Sequence, residues 1–373
     1  MNVCIVCSNL HTGGGVQVAA SFLAGLLSLP DRASRISVIA STEVNRNLRQ
    51  MCDDVAAFAA YEVRDHDGLS MLWSGLGRRL RAFDAVFTVF GPLYLLRQPR
   101  VSVVGFAQPW IIYPDNEIQA AMPWYFKLTT YLKFAVQSWF FSRANLLVVE
   151  LGHVKSGLVA RGLASAEAIR VVSNCLSDIF LQPERWLPVA VEEESPDYRL
   201  GFVGRDYPHK NIHILPSVRR ILRERHGLEV WIYVTLNDAE WSSCPSEFQA
   251  EVCNVGSLTL AQCPTFYKAM DGVIFPSLLE CFSATPLEAM VMERPLFASD
   301  RPFIRDVCGG FAQYFDPLDP ISIADAIAAY FSSDVAEINL VLARRHAQQF
   351  SSNAQRTIEY IDCLETAIAA KQK

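Results

Sequence analysis

Phe275-Pro276-Ser277-Leu278-Leu279-Glu280-Cys281-Phe282-Ser283-Ala284-Thr285-Pro286-Leu287-Glu288-Ala289-Met290 sets two carboxylates, Glu280 and Glu288, on either side of a short loop. Gly272–Phe275 is an apolar run of strand length. Thr285-Pro286 reads as a helix start. Threonine caps well, proline suits the first turn, and the residue before a proline avoids the helical region. The order is strand, loop, helix N-terminus. It aims backbone N–H groups and the positive end of a helix at whatever lies above the strand, a place for an anion. Thr285-x-x-Glu288 is equally a capping box, in which Glu288 only bonds back to the Thr285 backbone. The stretch alone does not choose between the two.

Upstream, the same order occurs again. A strand over 200–203 ends in Gly204-Arg205. The loop Asp206-Tyr207-Pro208-His209-Lys210 follows, then a helix marked by Ile212, Leu215, Val218, Ile221 and Leu222. Two cations, Arg205 and Lys210, at the carboxyl edge of a parallel sheet suit a diphosphate, although surface solvation explains them as simply. Strands over 229–234 and 252–255 enclose a polar loop at 237–246, and the second ends at Gly256, where a base can approach the backbone. Leu296–Ser299 and Tyr314-Phe315 read as further strands. Segments 321–331, 336–350 and 357–369 are helical by period, the last amphipathic.

The first half repeats the theme. A strand over 3–7 leads into Gly13-Gly14-Gly15 and a helix with Val16, Ala19, Ala20, Leu23, Leu26 and Leu27 on one face. The glycines are neither the dinucleotide fingerprint nor a P-loop, so a flexible turn competes with a ligand loop. Strands at 35–41, 85–90, 101–106, Leu146–Val149 and 169–172 alternate with helices, which means parallel, doubly wound sheets. Gln108 follows one of these strands. Asp65-His66-Asp67 resembles a metal motif but sits in a polar turn between helix-like stretches, and reads as a solvated loop. The aromatic stretch 123–143, with Lys127, Thr130, Lys133 and Gln137 on one stripe, fits a core helix, wholly or in mixture with an anionic membrane surface. The proline-rich, acidic segment 182–198 reads as a linker. It divides an N-terminal domain of 1–182 from a C-terminal domain of 183–350.

At 373 residues, the chain has room for two domains. Its net charge of −6 argues against nucleic acid as the main partner. The 10 cysteines are scattered, and Cys4-x-x-Cys7 lies within a strand, so structural thiols are expected rather than a metal site. Free thiols without a signal peptide point to the cytoplasm, and no apolar run reaches the length of a membrane span.

Taken together, these residues resemble the retaining GT-B glycosyltransferases, glycosyltransferase family 4, which includes sucrose synthases and many bacterial surface-polysaccharide enzymes. The resemblance covers nearly the whole chain. Val203-Gly204-Arg205 with His209-Lys210-Asn211 is similar to the family's phosphate loop. The stretch from Glu280 to Glu288 is similar to its E-x7-E signature, and Gly13-Gly14-Gly15 to its N-terminal glycine loop.

The resemblance implies two Rossmann-like α/β domains facing across a cleft, with a last helix, 351–373, packing back on the first. It implies that Arg205 and Lys210 hold a nucleotide-sugar diphosphate and that Glu288 takes the ribose. Glu280 lies by the sugar, faced also by Phe282, Ser283, Ala284 and Thr285. Gly256 receives the base, and Gly14 and Gly15 approach from the other domain. Gln108 stands where many members carry a histidine, and Cys281 and Ser283 stand where many carry glycines.

The implied reaction is retaining transfer of a sugar to a glycan or lipid-linked acceptor in surface-polysaccharide or lipopolysaccharide assembly. It implies no metal and no other cofactor. The place implied is the cytoplasm or the inner face of the membrane, with peripheral contact through 123–143. A nucleotide-sugar epimerase on the same fold and a non-catalytic nucleotide- or glycan-binding module are the alternatives.

Overall fold

The computed structural model describes residues 2–52, 54–191, 196–333 and 337–372. The chain forms two compact units, one of Met1–Cys175 with Ser351–Lys373, the other of Leu176–Phe350. Each is built on an open sheet whose strands all run parallel.

In the first unit the strands are β1 (Val3–Cys7), β2 (Ile36–Ala40), β3 (Ala60–Val63), β4 (Ala85–Thr88), β5 (Ser102–Gly105), β6 (Leu146–Val149) and β7 (Ile169–Val171). Their spatial order is β3-β2-β1-β4-β5-β6-β7. β1, β4, β5 and β6 are buried at every residue, which is why they read as unbroken apolar runs. β3 is an edge strand with half its side chains in water and no clear alternation, and it escapes a reading by period. Asp65-His66-Asp67 therefore follows a strand instead of lying between helices.

The order reverses between β1 and β4, so the loops after these two strands part and leave a crevice at their carboxyl ends. Asn9 spans the two loops, its Nδ2 donating to the Phe90 carbonyl at 2.8 Å.

The helix Asn353–Gln372 belongs to this first unit and packs on the helix Gly14–Leu27 and on β4, β5 and β6. Tyr360 meets Phe22 and Phe87 edge-to-face at 5.0 and 5.2 Å. Arg356 is buried there and donates to Asn174, to Ser21 Oγ at 2.6 Å and to Asn353 Oδ1 at 2.8 Å. A buried guanidinium needs such partners.

The second unit holds β8 (Tyr198–Phe202), β9 (Val230–Val234), β10 (Cys253–Asn254), β11 (Gly272–Phe275), β12 (Leu296–Ser299) and β13 (Gln313–Phe315), in the order β10-β9-β8-β11-β12-β13. Here the reversal falls between β8 and β11.

The units divide after Cys175, ahead of the boundary expected after Gln182. The cause is local packing. Phe180 lies 6.0 Å from the Tyr267 ring, Trp186 Nε1 donates to the Ile179 carbonyl, and Leu187 N donates to the Ala261 carbonyl. The first part of the expected linker is thus laid down on the second unit. Glu192, Glu193 and Glu194 of that linker, and Ala336 of an expected helix, lie outside the described residues.

Two other expectations are corrected. The polar stretch 237–246 is not a loop: Asp238–Ser243 is a helix, started by a capping box of Asn237 and Glu240. The helix Trp124–Phe141 is a core element only in its last turn, where Phe140 and Phe141 are buried. Cys4 and Cys7 are buried in β1, and burial pushes the Cys4 thiol up to about 12. Among the described residues no helix is long and apolar enough to cross a membrane.

Candidate functional site

The crevice between β8 and β11 collects most of the charged residues singled out above. Lys210 follows β8 and Glu280 follows β11; they form an ion pair, Nζ to Oε1 at 2.6 Å, with both side chains largely buried. Lys210 Nζ also lies 5.1 Å from the centre of the Phe275 ring. The two loops are joined through the backbone, Leu278 N donating to the His209 carbonyl at 2.7 Å. Asn211, in the left-handed region at φ 56, ends the first loop and donates from Nδ2 to the Pro317 carbonyl at 2.7 Å. Burial holds the His209 imidazole below its ordinary value; Glu280 opposes this shift and Lys210 adds to it. All three groups therefore share one electrostatic environment.

The helix after the second loop runs Thr285–Val291, with Ala284 as its capping residue. The Thr285-x-x-Glu288 capping box does not form. Thr285 Oγ1 donates instead to the Val203 carbonyl at 3.5 Å, which ties the helix start to the end of β8. Glu288 turns inward: it is 9% exposed, and its Oε2 accepts the Tyr267 hydroxyl at 2.7 Å. Burial raises its carboxyl to about 7, against the Tyr267 hydrogen bond and the Lys210 charge, which both lower it. At neutral pH this group is divided between its acid and its carboxylate. Phe282, Ser283 and Ala284 are half-buried along the same loop.

Arg205 is half in water and pairs through Nε with Glu240 Oε1 at 2.6 Å. Glu240 is held in turn by the Asn237 and Asp206 backbone N–H groups. Arg205 has therefore an anchored partner rather than a free surface position. Gly256, two residues past β10, has φ 79, and a side chain there would meet no atom within 4 Å.

Gly14, Gly15 and Gln108 belong to the sheet edge of the first unit. Gly13, at φ 75, is the residue before the helix Gly14–Leu27, and Gly14 has open space around it. Gln108 precedes the short helix Pro109–Ile112 after β5. Beside the glycine loop, His11 lies 3.5 Å from Asp65 and 3.1 Å from Asp67. Asp65 accepts both the Thr42 backbone N–H and its hydroxyl, which holds its carboxyl below the usual range. Among the described residues no His, Cys, Asp and Glu cluster could hold a metal ion.

Sequence reasoning missed Glu240 and Tyr267. The first had a signal, since Asn237-x-x-Glu240 has capping-box spacing. Tyr267 had none, because its contact with Glu288 joins two different helices.

Known proteins match this architecture. Residues 197–333 match the family model described as glycosyl transferases group 1. The O-antigen chain mannosyltransferase RfbU of Salmonella typhimurium is 25% identical over 245 residues, which are 65% of this chain and 63% of that protein. The match thus spans less than two thirds of that relative's length. Anabaena Alr3699/HepE, solved in complex with UDP-glucose, is 14% identical with a TM-score of 0.68, covering 98% of this chain and 100% of its own. WaaG, a glycosyltransferase involved in lipopolysaccharide biosynthesis, is 12% identical with a TM-score of 0.67, covering 97% of this chain and 99% of its own. The likeness to these structures establishes the fold, which is GT-B.

Proposed function

We propose that the chain is a group 1 glycosyltransferase, as the family match over residues 197–333 supports, and that it moves a hexose from a nucleotide diphosphate to a hydroxyl of a glycan or lipid-linked acceptor, with retention. The observation that carries this reading is the Lys210–Glu280 pair at the point where the second sheet reverses. There a buried cation and a carboxylate serve one donor. Lys210 and Arg205 take the diphosphate, and Glu280 takes the sugar. Glu288, through the oxygen not engaged by Tyr267, takes the ribose. Gly256 gives the base access to the backbone, and the loop Phe282, Ser283, Ala284 and Thr285 faces sugar and phosphate.

In the proposed step the bond from the anomeric carbon to the diphosphate oxygen breaks. The acceptor oxygen forms its bond on the same face, and the acceptor proton passes to the leaving phosphate oxygen. No enzyme carboxylate is the nucleophile. Charge growing on the diphosphate is met by Lys210 and Arg205, without a metal or other cofactor. Both cations are already paired, to Glu280 and Glu240, so they are held in place before the donor arrives.

That RfbU is an O-antigen mannosyltransferase and WaaG acts in lipopolysaccharide biosynthesis supports a surface-glycan acceptor. That HepE binds UDP-glucose supports a nucleotide-sugar donor. The proposed place is the inner face of the cytoplasmic membrane, met through 123–143. The test is sugar transfer by Lys210→Ala and Glu288→Ala. Each loses transfer while its circular dichroism stays native; full activity in both overturns the site.

A further inference from the structure

We propose that the first unit carries a binding site for a phosphate-headed amphiphile, in a hollow between the helix Trp124–Phe141 and the turn after β5. It rests on the transferase reading in one respect: the amphiphile is the lipid end of the acceptor.

Three observations point there. The first is the helix. Ahead of its buried last turn it shows Trp124, Tyr125, Phe126, Leu128, Tyr131 and Leu132 to solvent, with Trp124 76% and Tyr131 65% exposed. A surface helix of a water-soluble unit puts polar residues on such a face; a run of exposed aromatics marks a contact surface. The second is charge. Segment 123–143 contains Lys127, Lys133 and Arg143 and no acidic residue, in a chain of net charge −6. Local sorting of this kind suits an anionic partner.

The third is the hollow, of about 300 Å³. Trp110 and Phe134 line it and stack on each other, ring centroids 5.8 Å apart and 10° from parallel, and Tyr131, Gln119 and Ser138 also line it. Arg161 stands at its rim and is paired with no carboxylate among the described residues. That volume is at the small end of ligand sites, enough for a length of chain rather than a whole lipid. Apolar walls with one unpaired guanidinium fit an alkyl or isoprenoid chain that ends in phosphate. Trp110 lies two residues past Gln108, so the hollow adjoins the strand edge assigned to the acceptor side.

The test uses the full chain and dodecyl phosphate below its micelle concentration, titrated by calorimetry. One molecule binds per chain. Arg161→Glu weakens it about tenfold or more, as expected for loss of a charge-assisted contact, and Phe134→Ser weakens it as well. Dodecanol binds more weakly than dodecyl phosphate to the wild type and equally to both the wild type and Arg161→Glu. Sedimentation with phosphatidylglycerol vesicles separates monomer binding from adsorption to a bilayer.

Vesicle binding that Arg161→Glu leaves unchanged, with no binding of the monomer, overturns the site. So does a concentration-dependent dimer that excludes dodecyl phosphate, because a second copy would then cover the helix. UDP titrated into the same variants distinguishes the two proposals. Loss of amphiphile binding with UDP binding intact ends this inference alone. Failure to bind UDP, with dodecyl phosphate still bound, counts against the donor site instead.

Discussion

Glu288 is a carboxyl with two demands on it. Burial favours its acid, whereas the proposed contact with ribose hydroxyls would favour its anion. Its carboxyl rises from the ordinary 4.5 to about 7, so the folded chain binds this proton more tightly than the unfolded chain does. Stability from this group is complete below about 4.5 and is lost as pH rises toward about 7. Glu288→Gln escapes that loss. The difference in melting temperature, variant minus wild type, rises across this window and is level above it; a flat difference contradicts the burial described here.

Lys210 and Glu280 make the opposite case, two buried charges that satisfy each other. Lys210→Met alone leaves a buried carboxylate unpaired and costs roughly 3 kcal/mol, whereas adding Glu280→Gln recovers most of it. Denaturant unfolding of the single and double variants measures this coupling, and additive losses would argue against a direct pair. At this scale the sequence was informative about identity and poor about partners. Arg205, Lys210, Glu280 and Glu288 stand at a strand edge, as their spacing suggested. That Glu288 turns to Tyr267 rather than to the Thr285 backbone depends on the packing of two helices, which no local pattern encodes.

The elements follow the same division. Strands buried on both faces, such as Gly272–Phe275 and Leu146–Val149, were legible because a wholly buried strand is an unbroken apolar run. β3 was not, because its edge position leaves its residues mixed. The helix Asp238–Ser243 was hidden by its polar composition, although its capping box was present. The exposure of the helix Trp124–Phe141 could not be read from composition, since aromatic residues suit a core as well as a docking face.

The last helix is held by close approach. Gly25 faces Thr357, and a methyl group at Gly25 would collide with the Thr357 hydroxyl. Gly25→Ala costs about 1–3 kcal/mol by overpacking, and Thr357→Ala relieves most of that cost. Thermal unfolding of the two single variants and the double decides it; a neutral Gly25→Ala means that the helix does not dock as described.

For the whole molecule, the two sheets share one plan. Each reverses its strand order once, and each places loops with glycine or charge at the reversal. The reversal between β8 and β11 is where Lys210, Glu280 and the start of the Glu288 helix converge. A net charge of −6 leaves this crevice's cations as local exceptions, which suits a small anion better than a polyanion. We propose that this crevice holds a nucleotide diphosphate. Calorimetric titration of UDP, GDP and ADP into the wild type and Lys210→Ala tests it most directly. One of the three binds with one site per chain, and Lys210→Ala weakens it about tenfold or more. Absence of binding by all three, or equal binding to both proteins, would contradict it.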